Sequence, residues 1–244
     1  MIRLPHNRRC ARWLVCLLLG LVGVTPSALA AQPALNAESL SIPDAWARAA
    51  YEIPQADRLA TFTALADRAR EAAKENTPAT LIWKGICLST LAGEKSNLNS
   101  LKLVREARGA FRAAMKLDEQ ALEGAAQISL GALYYRLPVF PVSFGSKRKA
   151  RRLLTRALEI SPNSIDANYF MADFLVTVGD ADKARQHIEI GLNAPIRPER
   201  VVADQGRLGE LKRLLEKIDN PDPDATDSTP FLDLPESTED QPAG

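Results

Sequence analysis

Residues 150–191 read ARRLLTRALEISPNSIDANYFMADFLVTVGDADKARQHIEIG, and their periodic pattern is the clearest indication of the fold. It opens with a small residue, Ala150, followed by an apolar residue four positions on and a second small residue seven positions on. The same arrangement returns at Ala184, 34 positions later. Apolar residues recur at intervals of three and four on both sides of Pro162, which is the period of an α-helix. The stretch therefore predicts helical hairpins that repeat along the chain.

The pattern of small residues extends toward the N-terminus of the sequence. It occurs again from Ala107 and from Ala66, and Pro78 and Pro162 each fall twelve positions after the first small residue of their repeat. This is the second half of a tetratricopeptide repeat, in which small residues let paired helices approach closely. We therefore predict an all-α, tetratricopeptide-like array of about four helix pairs, with insertions in the earlier repeats. A generic helical bundle is the alternative.

An unusual loop interrupts the third repeat. Residues 137–145 read LPVFPVSFG, where Pro138 and Pro141 prevent helix continuation. Half of the fourteen aromatic residues fall between Tyr134 and Phe174. Since loops are usually polar, this one either plugs the core or lines an apolar ligand pocket with tyrosine hydroxyls at its rim. The residues expected to form that pocket are Tyr134, Tyr135, Phe140, Pro141, Phe144, Tyr169 and Phe174.

A cationic strip follows the loop. Arg148, Arg152 and Arg156 repeat every four residues and so predict one positive face of a helix. We consider this face a candidate site for an acidic partner or for the acidic C-terminal segment of the chain, with an ordinary solvated surface as the alternative. The formal net charge of the chain is only +1, so no nucleic-acid partner is expected.

Both ends of the chain differ in composition from its middle. Residues 1–30 combine four arginines, an apolar run over 13–24 and a small-x-small ending at Ala30, which predicts a secretory signal peptide cut after Ala30. The run is short of the ~20 residues that span a bilayer, although an uncleaved anchor is the alternative. We expect a folded body over 31–219 in the periplasm, with no stable membrane span. Residues 220–244 carry seven acids and five prolines without Lys or Arg, and predict a disordered tail.

Few residues in the chain suit catalysis or metal binding. Residues 31–244 contain a single cysteine, Cys87, and a single histidine, His187. This excludes an internal disulfide and a Cys/His zinc site in that part of the chain. We expect Cys87 to be a small buried residue. Asp166 is expected to cap or open its helix, and Asp173 to be a buried anchor for Tyr169 or an arginine. We therefore predict no catalytic residue, no metal and no cofactor.

The stretch LGALYYRLPVFPVSFG over 130–145, with DANYFMADFL over 166–175, resembles the T-component (TatT-like) family of TRAP transporters. The resemblance extends over 128–192. In that family the loop usually reads VPGWPIGFGD; here Val139-Phe140 replaces Gly-Trp, and Ser146-Lys147-Arg148 replaces an acidic turn. The resemblance implies a periplasmic helical-repeat protein that associates with the solute-binding protein of a TRAP system and carries an apolar channel for a hydrophobic ligand. A general envelope adaptor without a ligand is the alternative, and homo-oligomerisation stays open.

Overall fold

A computed structural model describes residues 40–95 and 100–221, all of which belong to one compact unit. The predicted signal peptide and the predicted tail beyond residue 221 lie outside the described residues. Across the two described ranges the chain forms helices and turns, without a strand. The α-helices are α1 (Ile42–Tyr51), α2 (Gln55–Ala72), α3 (Pro78–Lys95), α4 (Ser100–Leu117), α5 (Ala121–Arg136), α6 (Lys147–Ile160), α7 (Ile165–Thr177), α8 (Ala181–Asn193) and α9 (Val201–Asp219).

Eight of these helices form four consecutive pairs: α1 packs on α2, α3 on α4, α5 on α6 and α7 on α8. Six small residues of the repeat pattern lie in the second helices of the pairs and are fully buried, which allows the close approach that the sequence predicts. They are Ala66, Ala107, Ala114, Ala150, Ala157 and Ala184. Ala73, seven positions after Ala66, lies in the 3-10 turn that follows α2 and is only half-buried. The predicted all-α, tetratricopeptide-like array of hairpins is confirmed.

The first helices of the two middle pairs, α3 and α5, also carry a small residue where they meet their partner helices. A Cβ added to Gly131 in α5 would lie 2.9 Å from Leu154 of α6. Gly85 takes the same place in α3, where a Cβ would overlap the ring of Phe111 in α4.

Polar caps set the starts of the later helices. The Ser146 hydroxyl accepts from the backbone N–H of Lys149 at the start of α6, and Ser164 accepts from Ala167 at the start of α7. Ser164 therefore caps α7, and Asp166 lies within its first turn. Asp166 thus opens its helix, as expected, but Ser164 is the cap, and the Asp166 carboxylate pairs with arginines that lie far along the sequence.

The first helices of the pairs and α9 form an inner layer. Contacts run from α1 to α3, from α3 to α5, from α5 to α7 and from α7 to α9, and α9 in turn contacts α1. At this last contact Gly206 of α9 lies against Tyr51 of α1, so close that a Cβ would overlap the ring. The sequence interpretation contained four pairs and no helix after them, so the closure of this layer by α9 is new. Within the described ranges, none of the helices is both long and apolar enough to cross a bilayer.

Candidate functional site

The inner helices surround a cavity of about 340 Å³. Its lining comes from α1, α2, α3, α5, α7 and α9 and from the turns that lead into α7 and α9, whereas α4, α6 and α8 contribute no lining residue. The cavity therefore lies on the inner side of the repeat array. Its volume is within the range of about 300–1,000 Å³ that is usual for small-molecule sites.

One side of the cavity is aromatic. Trp46 and Tyr51 of α1 and Trp83 of α3, together called the aromatic wall, all line it. The Trp46 ring lies 6.2 Å from Trp83 and 6.1 Å from Tyr51, measured between centroids, and meets Tyr51 edge-on. The indole N–H of Trp46 donates to the hydroxyl of Thr90 at 3.0 Å. These contacts fix the orientation of three large apolar surfaces toward the cavity.

Another part of the lining is a network of ion pairs centred on Asp166, which we call the charged wall. Arg207 of α9 donates to one carboxylate oxygen of Asp166 at 3.0 Å, and Arg197 donates to the other at 3.0 Å. Arg200 lies 3.4 Å from the second oxygen. Burial alone would raise the pKa of Asp166, but the three arginines outweigh burial and lower this pKa to about 2.

Arg207 joins the charged wall to the aromatic core. Its guanidinium lies 4.5 Å from the ring centroid of Tyr169 and 4.7 Å from that of Phe170, and it also pairs with Glu210. Burial opposes the charge of Arg207, yet the surrounding tyrosines and carboxylates raise its pKa. The charged form of this buried arginine is therefore maintained by cation–π and ion-pair contacts.

A strained backbone segment lies at the cavity where α5 begins. Leu122 and Glu123 have φ values of 48° and 57°, and Gly124 follows with 78°. Two consecutive non-glycine residues in the left-handed region carry a conformational cost that other contacts must offset. Both line the cavity, and the Glu123 carboxylate accepts from Arg197 at 2.9 Å. The ion pair ties this segment to the charged wall.

The seven aromatic and proline residues expected to form a ligand pocket do not line the cavity, and the structure does not bring them into one site. Tyr134, Tyr135 and Phe174 are buried, Phe144 and Tyr169 are half-buried, and Phe140 and Pro141 are exposed. Tyr134 packs on Phe144 at 5.6 Å, under the guanidinium of Arg108. Tyr135 packs on Phe174 at 5.6 Å.

Asp173 connects this aromatic region to the cavity. Its Oδ2 accepts from the Tyr135 hydroxyl at 2.5 Å and from Arg136 at 2.5 Å, and Arg136 also lines the cavity. The expected anchoring of an arginine by Asp173 is confirmed, whereas its tyrosine partner is Tyr135 and not Tyr169. Burial is the main reason that the pKa of Tyr135 is raised, so its hydroxyl is a donor at neutral pH.

The predicted cationic strip lies along α6, beside a groove on the outer side of the array. Arg148, Arg152 and Arg156 all line this groove. Arg156 is held by Glu119 at 3.0 Å and by Glu159 at 2.9 Å. Arg148 and Arg152 are exposed and have no ion-pair partner among the described residues. Two of the three predicted arginines are thus available at the surface.

The single cysteine and histidine of the described residues belong to packing contacts. Cys87 is fully buried, as expected, and burial raises the pKa of its thiol to about 12. Nδ1 of His187 lies 2.9 Å from Oδ1 of Asn168, and burial lowers the histidine pKa. Within the described ranges no group of His, Cys, Asp and Glu side chains is placed to hold a metal ion.

The tetratricopeptide repeat family matches residues 146–194, which include α6, α7 and α8. No curated protein matches the sequence. The match supports a tetratricopeptide-type protein, and such arrays are typically non-catalytic scaffolds for protein–protein interaction. The resemblance to the TRAP T component stays a prediction.

Proposed function

We propose that the chain is an exported repeat scaffold that binds a protein partner and holds a small ligand with a hydrophobic body in the cavity. The observation that carries this proposal is the contact of α9 with α1, because it closes the inner layer around the cavity. An open array offers a concave surface, whereas a closed one offers an interior volume suited to a small molecule. The proposed role is binding, without catalysis.

The two walls suggest the chemistry of the ligand. The aromatic wall provides apolar contact, and the charged wall provides directional partners for a polar end group. Three arginines contact the Asp166 carboxylate, and the contact of Arg200, at 3.4 Å, is the longest. Arg200 is therefore the arginine best able to turn toward a ligand. A molecule with an apolar chain and a carboxylate head fits both walls.

Tryptophan fluorescence provides a direct test. Trp46 and Trp83 both line the cavity, and the third tryptophan, Trp13, lies in the predicted signal peptide. Emission from the processed protein therefore reports on the cavity alone. Titration with dodecanoic acid is expected to change the emission in a saturable way, and native mass spectrometry is expected to detect a one-to-one complex.

A matched pair of variants separates cavity binding from surface adsorption. Ser129→Phe places a ring in the cavity lining, whereas Thr155→Phe places the same ring in the outer groove along α6, outside the cavity. We expect Ser129→Phe to abolish the response and Thr155→Phe to retain it. Equal responses from the two variants, or no saturable response from the native protein, would refute binding in the cavity.

We further propose that the protein partner is the solute-binding protein of a TRAP system. The support is the sequence resemblance over 128–192, including the loop before α6. Cross-linking in the periplasm followed by mass spectrometry is expected to recover such a solute-binding protein. Recovery of envelope-assembly proteins alone would instead favour a general adaptor, and would leave the fluorescence test of the cavity unaffected.

A further inference from the structure

Residues 139–142, between α5 and α6, form an exposed apolar tip that the ligand proposal does not use. The side chains in this loop tip are Val139, Phe140, Pro141 and Val142. Phe140 is 85% exposed, Val139 66% and Val142 47%. No other described residue with a large apolar side chain is as exposed as Phe140 or Val139. Four consecutive apolar residues at the surface indicate a place of contact.

Hydrogen bonds at the base of the loop hold the tip outward. The backbone N–H of Gly145 donates to the carbonyl of Pro138 at 2.9 Å, and that of Ser146 donates to Tyr134 at 2.6 Å. Within the loop, the Ser143 N–H donates to the carbonyl of Val139 at 3.2 Å. Because Phe144 already packs on Tyr134 at the base, the space below the tip is filled. The tip cannot fold back onto the core without breaking these contacts.

Positive charge adjoins the tip. Residues 124–158 contain no Asp or Glu, and Lys147 and Arg148 follow directly on the loop. Lys147, Arg148 and Arg152 are exposed, and the two arginines have no ion-pair partner among the described residues. An apolar tip next to uncompensated cations is the combination by which proteins attach to the surface of an anionic bilayer.

We propose that the loop tip and the basic start of α6 dock on an anionic lipid surface. Phe140 enters the interfacial region of the bilayer, while Arg148 and Arg152 meet the headgroups. A protein partner would need about 800 Å² of surface on each side for a stable complex, and four side chains supply a small part of that area. A bilayer needs only a small apolar insertion combined with charge attraction.

Vesicle co-sedimentation tests this proposal. The full-length gene is expressed in a secreting host, the protein is recovered from the periplasm, and its mass is checked for loss of the first thirty residues. We expect binding to vesicles of one part phosphatidylglycerol to three parts phosphatidylcholine, and little binding to phosphatidylcholine alone. Phe140→Ser is expected to weaken partitioning by about tenfold. Arg148→Gln with Arg152→Gln is expected to weaken it by about 30-fold.

Matched controls lie on other helices. Ile190→Ser removes an apolar side chain of α8 that is 42% exposed, and Lys212→Gln with Arg213→Gln removes two exposed cations of α9. These variants are expected to bind as the native protein does. Equal binding to both kinds of vesicle, or unchanged binding by Phe140→Ser, would overturn the proposal. Absence of vesicle binding together with a protein cross-linked through residue 140 would overturn it in favour of a protein contact.

Discussion

The protein contains two clusters of aromatic rings, one around α5 to α7 and one on α1 and α3, and their roles differ. In the region of α5 to α7, Arg136 lies 5.5 Å from the ring centroid of Tyr135, and Arg151 lies 5.0 Å from that of Phe174. There the rings pack against each other and form part of the core. On α1 and α3, Trp46 and Trp83 pack against each other on one face and line the cavity with another.

The difference shows that the number of aromatic residues in a segment is a poor guide to a pocket. Seven aromatic residues fall between Tyr134 and Phe174, and of these seven only Phe170 lines the cavity. The aromatic wall has only three rings, yet all three line the cavity. A cavity forms where the side chains of facing helices do not fill the volume between them, and the sequence of one segment does not show this.

The largest expected effect is in the packed region. Phe174 is 1% exposed, so Phe174→Ala leaves a large void and is expected to lower the free energy of unfolding by about 3–5 kcal/mol. Trp83→Ala, in the aromatic wall, removes a half-buried side chain and is expected to cost about 1–2 kcal/mol. Urea denaturation measures both, and a larger loss for Trp83→Ala would contradict the contrast between the regions.

The next largest expected effect is the pH-dependent contribution of Asp166, in the charged wall, to the free energy of unfolding. The pKa of Asp166 is lowered to about 2 in the folded protein, so the carboxylate favours the folded state above its unfolded pKa. That stabilisation, about 2–3 kcal/mol, is lost as the pH falls from about 4 toward 2. The stability difference between the native protein and Asp166→Asn should therefore shrink over this range. A difference that stays constant from pH 6 to pH 2 would show that Asp166 does not carry the effect.

The paired helices could be predicted from the sequence because their signal is local and periodic. Ala150 and Ala157 occupy one face of one helix, and the same spacing recurs at Ala184. Burial of these small residues follows from the helical period together with the need for close helix contact. The family match over 146–194 covers this most regular part of the array.

The cavity could not be predicted from the sequence, because the contacts around it join residues that are far apart along the chain and are not linked by the repeat spacing. Tyr51 meets Gly206 across the whole array, and Asp166 meets Arg197 and Arg207 from beyond the fourth pair. The spacing of the hairpins predicts neither the presence of α9 nor its packing against α1. Similarly, the direction of the loop, and not its composition, leaves Phe140 outside while Phe144 packs at its base.

The contact between α9 and α1 is expected to have a smaller effect on the free energy of unfolding. Two alanine substitutions in α9 test this. A Cβ at Gly206 would overlap the Tyr51 ring, so Gly206→Ala is expected to destabilise the protein by about 1–3 kcal/mol. At Gly209 the nearest atom to a Cβ is the end of the Arg213 side chain, at 3.5 Å. Gly209→Ala is therefore expected to stabilise α9 by about 0.5–1 kcal/mol. Thermal unfolding that ranks the two variants the other way would argue against a tight α1–α9 contact.

The smallest effect on stability is expected at the loop tip. Phe140→Ala removes a ring that is 85% exposed, so the free energy of unfolding should change by less than about 0.5 kcal/mol. Phe174→Ala is expected to cause the largest loss in the free energy of unfolding, although the sequence predicts that Phe140 and Phe174 line the same pocket. Urea denaturation of the two variants under identical conditions makes the comparison direct. A loss at Phe140 that approached the loss at Phe174 would mean that the tip packs on the protein in solution, and would remove the apolar surface on which lipid docking depends.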